Sequence, residues 1–258
     1  MELKFYKYQG TGNDFIMVDN RLGLFDINNT NLVEKLCHRR FGIGADGFIL
    51  LENEKGYDFK MVYFNSDGKQ SSMCGNGGRC IVQFAHDIGV IGDRTTFLAI
   101  DGPHDAYIEK GLVHLKMIDV DQIEDNGDHF YMNTGSPHYV KTVEEINKFP
   151  VVEEGRKVRN NSRFKEKGTN VNFTEKEKDV LHVRTYERGV EDETFSCGTG
   201  VTAAALAASY SGMLSPVRIQ TLGGQLSISF KKTGMGFNEI YLIGPAERVF
   251  EGTMIIGH

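Results

Sequence analysis

The chemistry-bearing residues of this chain are two cysteines in matched glycine-rich turns. Residues 73–78 read Met-Cys-Gly-Asn-Gly-Gly, and residues 196–201 read Ser-Cys-Gly-Thr-Gly-Val. Subtraction gives Cys197 − Cys74 = 123, and the same offset pairs Tyr63 with Tyr186, Gly75 with Gly198, and Gly77 with Gly200. It also pairs the Thr11-Gly12-Asn13 turn with Thr134-Gly135-Ser136, and Gly89 with Gly212. A duplicated chain with one cysteine at the same point of each half suggests two thiols facing each other. Such a pair suits the removal of a proton from one face of a carbon and its return on the other. Each cysteine stands at or just before a predicted helix start. There the unpaired N–H groups and the helix dipole bind an anion and lower a thiol's pKa from its usual ~8.5. One geometry would then hold a carboxylate and poise two thiols beside its α-carbon.

Other readings of these residues are weaker. A lone Cys-Gly step is ordinarily a buried residue at a turn, but two at matching places of a repeat are not explained that way. Zinc would want CxxC-type spacing, which Cys74 and Cys80 do not supply, so no metal is expected. Gly198–Ala203 formally fits a dinucleotide fingerprint, but no acidic residue follows between Val201 and Asn238, where that motif wants one ~20 positions on. Cys37, on an apolar helix face, and Cys80, inside a helix, read as core. Asn13 and Ser136 present small polar side chains in the paired turns. At the ends of matched strands Asn65 corresponds to Arg188, preceded by Glu187, so the halves differ as an asymmetric substrate requires. Arg188 suits a second carboxylate, and Glu187 suits an ammonium or the tuning of a thiol. His138 lies in a repeat turn. His38, His86, His104, His114, His129, His182 and His258 have no comparable setting and read as structural or solvated.

The elements that must position these groups are mostly strands. Alternation marks Leu3–Tyr8, Phe15–Asp19, Phe48–Leu51, Phe59–Phe64, Thr96–Ile100, Ala106–Ile108 and Val113–Met117. In the second half it marks Tyr131–Asn133, Tyr139–Thr142, Val171–Phe173, Leu181–Tyr186, Val217–Thr221, Leu226–Phe230 and Glu239–Ile243. Helices are expected over Asn31–Arg39 behind a Thr30 cap, over 76–88, over 199–210, and briefly over Val143–Phe149. The 199–210 segment is apolar nearly all round and so should be buried. The expected fold is α+β: two pseudo-symmetric domains from an internal duplication, each a mostly antiparallel sheet wrapped around a central buried helix. With 258 residues, two halves of about 120 residues can each hold a core. The expected division is 1–119 plus about 247–258, carrying Cys74, and 120–246, carrying Cys197, with the acidic loop Asp119–Asp128 as the crossing point. Net charge is −6 with no basic run, so no nucleic-acid partner is expected. The longest apolar stretch, near Val201–Ser209, is too short to span a bilayer, and MELKFYKYQG carries no signal-peptide core. A cytoplasmic protein is expected, with its four cysteines not forming a disulfide framework.

The motifs together resemble those of the diaminopimelate epimerase family. They are GTGNDFIMVD at 10–19, GIGADG at 42–47, NSDG at 65–68, MCGNGGRC at 73–80, GSPH at 135–138, TNVNF at 169–173, YERG at 186–189, CGTG at 197–200 and GPAERVFEG at 244–252. They span nearly the whole chain in family order. The resemblance implies a cofactor-independent enzyme, usually a homodimer, that interconverts the LL and meso forms of diaminopimelate in lysine and cell-wall precursor biosynthesis. It implies Cys74 and Cys197 as the acid/base thiols, with the backbone of Gly75, Asn76, Gly198 and Thr199 on the reacting carboxylate. Asn13, Asn65, Asn170, Glu187 and Arg188 would bind substrate, Arg188 at the distal carboxylate. His138 and Glu187 would modulate the thiols. Ser136 stands where many members have Asn, and Gly47 where some carry a binding Gln; the first contact is expected to be shorter or water-bridged, and the second is not carried over. The alternatives are a related racemase of the proline type, a thiol hydrolase using Cys197 with His138, and a non-enzymatic binding protein. A distal anion site at Arg188 would separate the first, and the retained second thiol argues against the others.

Overall fold

The computed structural model describes residues 2–234 and 236–256. His258 and the last two residues of the expected 247–258 segment lie outside the described residues. The chain divides into two compact units, Met1–Leu115 with Pro245–His258, and Lys116–Gly244.

In the first unit β1 (Glu2–Gly10) and β2 (Asn13–Asp19) form an antiparallel hairpin in which Gly10 faces Asn13. The two residues between them, Thr11 and Gly12, have φ of 51° and 85°, the left-handed pair that matches strand twist in a two-residue turn. α1 (Thr30–Cys37) leads to β3 (Gly47–Glu52), parallel to β2. α1 is capped one residue earlier than expected. Asn29, not Thr30, accepts from the Leu32 backbone N–H at 3.1 Å, as a side-chain amide at an N-cap does well. Its Val33, Leu36 and Cys37 pack with Leu3, Phe25, Phe48 and Phe64 in this unit's core. β4 (Lys60–Asn65) pairs antiparallel with β3, and α2 (Gly75–Asp87) crosses over to β5 (Arg94–Ala99), parallel to β4. β6 (Gly102–Glu109) and β7 (Leu112–Lys116) follow as a meander. The strand Glu247–Ile255 returns to pair antiparallel with β1.

The second unit holds β8 (Ile123–Asp125), β9 (Phe130–Asn133), β10 (Pro137–Thr142), α3 (Val151–Arg159), β11 (Asn170–Glu177), β12 (Val180–Glu187) and β13 (Asp192–Thr194). α4 (Gly198–Tyr210), β14 (Val217–Thr221), β15 (Gly224–Lys232) and β16 (Phe237–Gly244) complete it, and Glu247–Ile255 is β17. Its pairings repeat those of the first unit: β9 antiparallel to β10, β10 parallel to β11, β11 antiparallel to β12, β12 parallel to β14, then β14–β15–β16 antiparallel. The offset of 123 carries the bounds of α2 onto those of α4, since 75 + 123 = 198 and 87 + 123 = 210. It also carries the pair Phe15 and Gly47 onto His138 and Asn170. The fold is thus α+β and duplicated, with α2 and α4 buried along most of their length.

The two units differ where the chain needs them to. Three residues, Thr134 to Ser136, join β9 to β10 in place of two, so Ser136 sits in the turn while Asn13 opens a strand. The helix expected at Val143–Phe149 is a single 3-10 turn, Ile146–Lys148, followed by α3. Pro150 ends the first and precedes the second, because proline suits a helix start but not its interior. The expected crossing loop at 119–128 contains β8. Lys116–Val120 joins the second unit because the Met117 and Val120 N–H groups donate to Ile240 and Phe237 carbonyls. The boundaries therefore fall a few residues earlier than Asp119 and Ala246. Among the described residues no helix is long and apolar enough to cross a membrane.

Candidate active site

In the first unit Cys74 is the N-cap of α2, with extended backbone at φ −98° and ψ 149°. Its sulfur accepts from the Gly77 N–H at 3.2 Å, and the side chain is half-buried. Behind it Gly75 and Asn76 form the buried first turn, whose N–H groups have no intrahelical acceptor by construction. Asn13 stands at the start of β2, and its buried Oδ1 accepts no hydrogen bond from the described residues. An orphan of that kind marks a place where a ligand group would be welcome. Asn65 ends β4, exposed, with Gly47 opposite it in the ladder. A side chain at Gly47 has no room: its Cβ would lie 2.5 Å from Tyr63 Cε2 and 2.9 Å from the Phe64 carbonyl oxygen. The Tyr63 ring fills the space where a glutamine stem would run.

One residue of this half-site was not singled out from sequence. Arg79 is fully buried one turn into α2. Its guanidinium donates to Gly75 O at 3.1 Å, Thr11 Oγ1 at 3.1 Å, Asn76 Oδ1 at 3.2 Å and Pro245 O at 3.3 Å. It thereby ties the Thr11–Asn13 turn to the first turn of the cysteine helix. Among the described residues no carboxylate pairs with it. Burial pushes it down to about 10, so it stays cationic at neutral pH. A buried unpaired cation is costly, and an anion at the adjacent helix start would offset that cost. Its sequence signal was a lone arginine within an otherwise small and apolar helix, MCGNGGRC.

In the second unit Cys197 is the N-cap of α4, at φ −121° and ψ 114°. Its sulfur lies 3.4 Å from Thr199 Oγ1. His138, fully buried, places Nε2 at 2.9 Å from both Thr199 Oγ1 and Ser136 Oγ. Burial, and then the Arg188 charge, push its pKa down to about 3, so the ring is neutral at working pH. Asn170 is buried and fully engaged. It donates to Ser136 Oγ and Pro137 O, each at 3.1 Å, and accepts from the Arg188 N–H at 2.9 Å. It therefore fixes Ser136 and the Arg188 backbone. Glu187 accepts from Thr194 Oγ1 at 2.8 Å, and burial pushes its carboxyl up. Arg188 is exposed and donates to Lys167 O at 3.0 Å, with no ion pair among the described residues.

Each unit therefore sets a half-buried sulfur on the first turn of a buried helix, beside backbone donors suited to a carboxylate. The other two thiols differ. Cys37 and Cys80 lie in the core, where burial pushes Cys37 up to about 12 and Cys80 well above the ordinary thiol range. The remaining described histidines take structural places, such as His114 stacked on Tyr107 and His129 on Tyr139.

This fold is shared with solved structures of several names. A Bacillus anthracis phenazine biosynthesis protein of the PhzF family superposes with a TM-score of 0.74 at 15% identity, covering 99% of this chain and 100% of that one. A hydroxyproline epimerase from Agrobacterium vitis gives 0.69 at 14%, over 98% and 91% of the two chains. Sequence narrows the class. The family model described as diaminopimelate epimerase matches residues 5–103 and 130–249. The diaminopimelate epimerase of Flavobacterium psychrophilum is 51% identical over 98% of this chain and 100% of its own length. That of Chlorobaculum tepidum is 43% identical over 96% and 99%, and that of Aquifex aeolicus 39% over 98% of each. The chain belongs to the diaminopimelate epimerase family, a family of isomerases.

Proposed function

We propose that the chain epimerises LL-2,6-diaminopimelate to the meso form by a two-base mechanism, with Cys74 and Cys197 as acid and base. The observation that carries this reading is the repeated N-cap cysteine: two units of the same topology, each with its thiol at the same helix position. One cysteine enters as thiolate and takes the α-proton; the other enters as thiol and protonates the opposite face. The N–H groups of Gly75, Asn76, Gly198 and Thr199 stabilise the carboxylate as it gains enolate character. Arg188 takes the distal carboxylate, and Asn13, Asn65 and Glu187 recognise the rest of the substrate. Ser136 and Asn170 shape that site from the second unit, and His138 and Glu187 tune the thiols. No cofactor enters the scheme, because the chain supplies both proton carriers. The same reading makes the protein a cytoplasmic homodimer in lysine and cell-wall precursor synthesis.

A racemase of the same fold acting on a monocarboxylic amino acid is the second reading. The Arg188 guanidinium, exposed and in no ion pair among the described residues, favours a dicarboxylate, since a monocarboxylate leaves that cation unused. The test is α-proton exchange. Reduced protein is incubated with LL-diaminopimelate in deuterated water and followed by NMR. Loss of the α-proton signal as the meso form appears is the expected result, and no exchange by reduced protein would send the substrate back to other amino acids. Cys74→Ala and Cys197→Ala should each abolish epimerisation, a loss of several orders of magnitude; near wild-type turnover in either refutes the two-base scheme.

A further inference from the structure

Asn172 has no place in the scheme above, yet it is fully buried and every polar atom of its amide is engaged. Its Nδ2 donates to the Tyr139 carbonyl at 3.1 Å, a partner that only accepts, which identifies that end of the amide. Its Oδ1 accepts from Thr185 Oγ1 at 2.9 Å. So oriented, Nδ2 also donates to His138 Nδ1 at 3.0 Å. A neutral imidazole that accepts at Nδ1 carries its proton on Nε2. That proton faces Thr199 Oγ1 and Ser136 Oγ, both 2.9 Å away. Ser136 Oγ already accepts from Asn170. Once the Thr199 hydroxyl accepts from the ring, its own hydrogen must point elsewhere. Ser136 Oγ lies 3.1 Å away, but it already accepts from Asn170 and can itself donate to Thr199; that leaves the Cys197 sulfur, 3.4 Å off, to take the Thr199 hydrogen.

We propose that Asn172 is a positioning residue: by holding His138 in its Nε2–H tautomer, it makes the Thr199 hydroxyl a donor to the Cys197 sulfur. The inference rests on the acid/base role proposed for Cys197. The opposite tautomer would set Nδ1–H against the Asn172 NH2, donor to donor, in a site closed to water. Its Nε2 lone pair would then draw the Thr199 hydrogen away from sulfur. Burial, and after it the Arg188 charge, disfavours the imidazolium form that would escape this choice. The start of α4 is built around the same amide. A Cβ at Gly200 would lie 2.4 Å from Asn172 Oδ1 and 3.4 Å from Cys197 Sγ.

Asn172→Asp tests this, because a carboxylate of the same shape accepts Nδ1–H and reverses the tautomer. Three quantities are read on the full chain: the tautomer by ¹⁵N NMR of labelled histidine, the pH profile of Cys197 alkylation in a Cys74→Ala background, and kcat and KM for diaminopimelate. Wild type should show Nε2–H, and Asn172→Asp should show Nδ1–H. The alkylation profile should then move upward by roughly one to two pH units, as loss of a hydrogen bond to a charged group implies. Turnover should fall at least about tenfold with KM changed less than about twofold. Thr199→Val, which leaves Nε2–H a partner in Ser136, should shift alkylation equally, and Asn172→Asp should add nothing in that background. Should Asn172→Asp fail to fold, Thr185→Val, which releases the Asn172 carbonyl, carries the same readouts. An Nδ1–H ring in wild type, a tautomer swap that leaves alkylation unmoved, or full additivity with Thr199→Val overturns the proposal. The tautomer and alkylation readouts need no substrate, so a chain that fails to exchange the diaminopimelate proton would sink the proposed function and leave this inference to its own test.

Discussion

Gly77 and Gly200 occupy the same position in the two repeats, and alanine should affect them in opposite directions. Each lies in the first turn of its helix, where replacing glycine gains up to about 1 kcal/mol of helix propensity. At Gly77 the new methyl would lie 3.2 Å from Cys74 Sγ and Ile49 Cδ1 and 3.5 Å from Met61 Cε, all side-chain ends that yield by a few tenths of an ångström. Most of the gain survives, so the expected change is between zero and about 1 kcal/mol stabilising. At Gly200 the methyl would lie 2.4 Å from Asn172 Oδ1. That amide is held by Thr185, Tyr139 and His138 and has nowhere to go. Overpacking costs about 1–3 kcal/mol, and each buried hydrogen bond broken adds about 1. With the one hydrogen bond to that oxygen lost and the propensity gain subtracted, the net loss is about 1–3 kcal/mol, a fall in Tm of roughly 2–12 °C for a chain of this length. Differential scanning calorimetry of the two single variants, with thiols kept reduced, reads both shifts and separates the units if they melt apart. A Gly77→Ala variant destabilised as much as Gly200→Ala would refute the reasoning, since it would mean the helix start, and not the Asn172 contact, demands glycine.

Gly47→Gln should destabilise by about 1–3 kcal/mol without tightening substrate binding, because the side chain must displace the Tyr63 ring; thermal melts and KM together check it, and a tighter KM contradicts the packing. His138 predicts a pH dependence. Folding lowers its pKa from 6.5 to about 3, so its stability contribution is complete above pH 6.5 and drains away as pH falls toward 3. The limiting slope is about 1.4 kcal/mol per pH unit. His138→Gln should flatten that acid limb in melts taken between those pH values, and an unchanged limb would mean the ring titrates normally.

The half of the site that repeats was readable because identical residues recur at one offset. Cys74 with Cys197, and α2 with α4, follow from that arithmetic and from capping physics alone. What escaped depends on neighbours distant in sequence. α3 carries little signal in the sequence, since Gly155 interrupts its helical pattern. In the structure a Cβ there would lie 2.4 Å from Tyr186 Cβ, so the glycine serves close packing that no local signal reports. The equivalence of Asn13 with Ser136 is changed by one added turn residue, whose effect on register shows only in the ladder. Arg79 and Asn172 looked unremarkable because their meaning lies in being buried, and burial of a polar residue is decided by the tertiary fold. Gly47 read as a departure from the family pattern; the position of Tyr63 explains it.

The closing strand has a bearing on how the protein is made. β1 lies between β2 and β17, and β17 comes from the far end of the sequence. During synthesis β1 therefore keeps an open edge until Glu247–Ile255 has emerged. Lys116–Gly244, by contrast, is continuous in sequence and holds all its own strands before then. The order of completion is the reverse of the order of translation. A nascent chain stalled short of residue 247 carries a finished second repeat and an unsealed first one, with a row of backbone donors and acceptors exposed to whatever chaperone or neighbouring chain meets it.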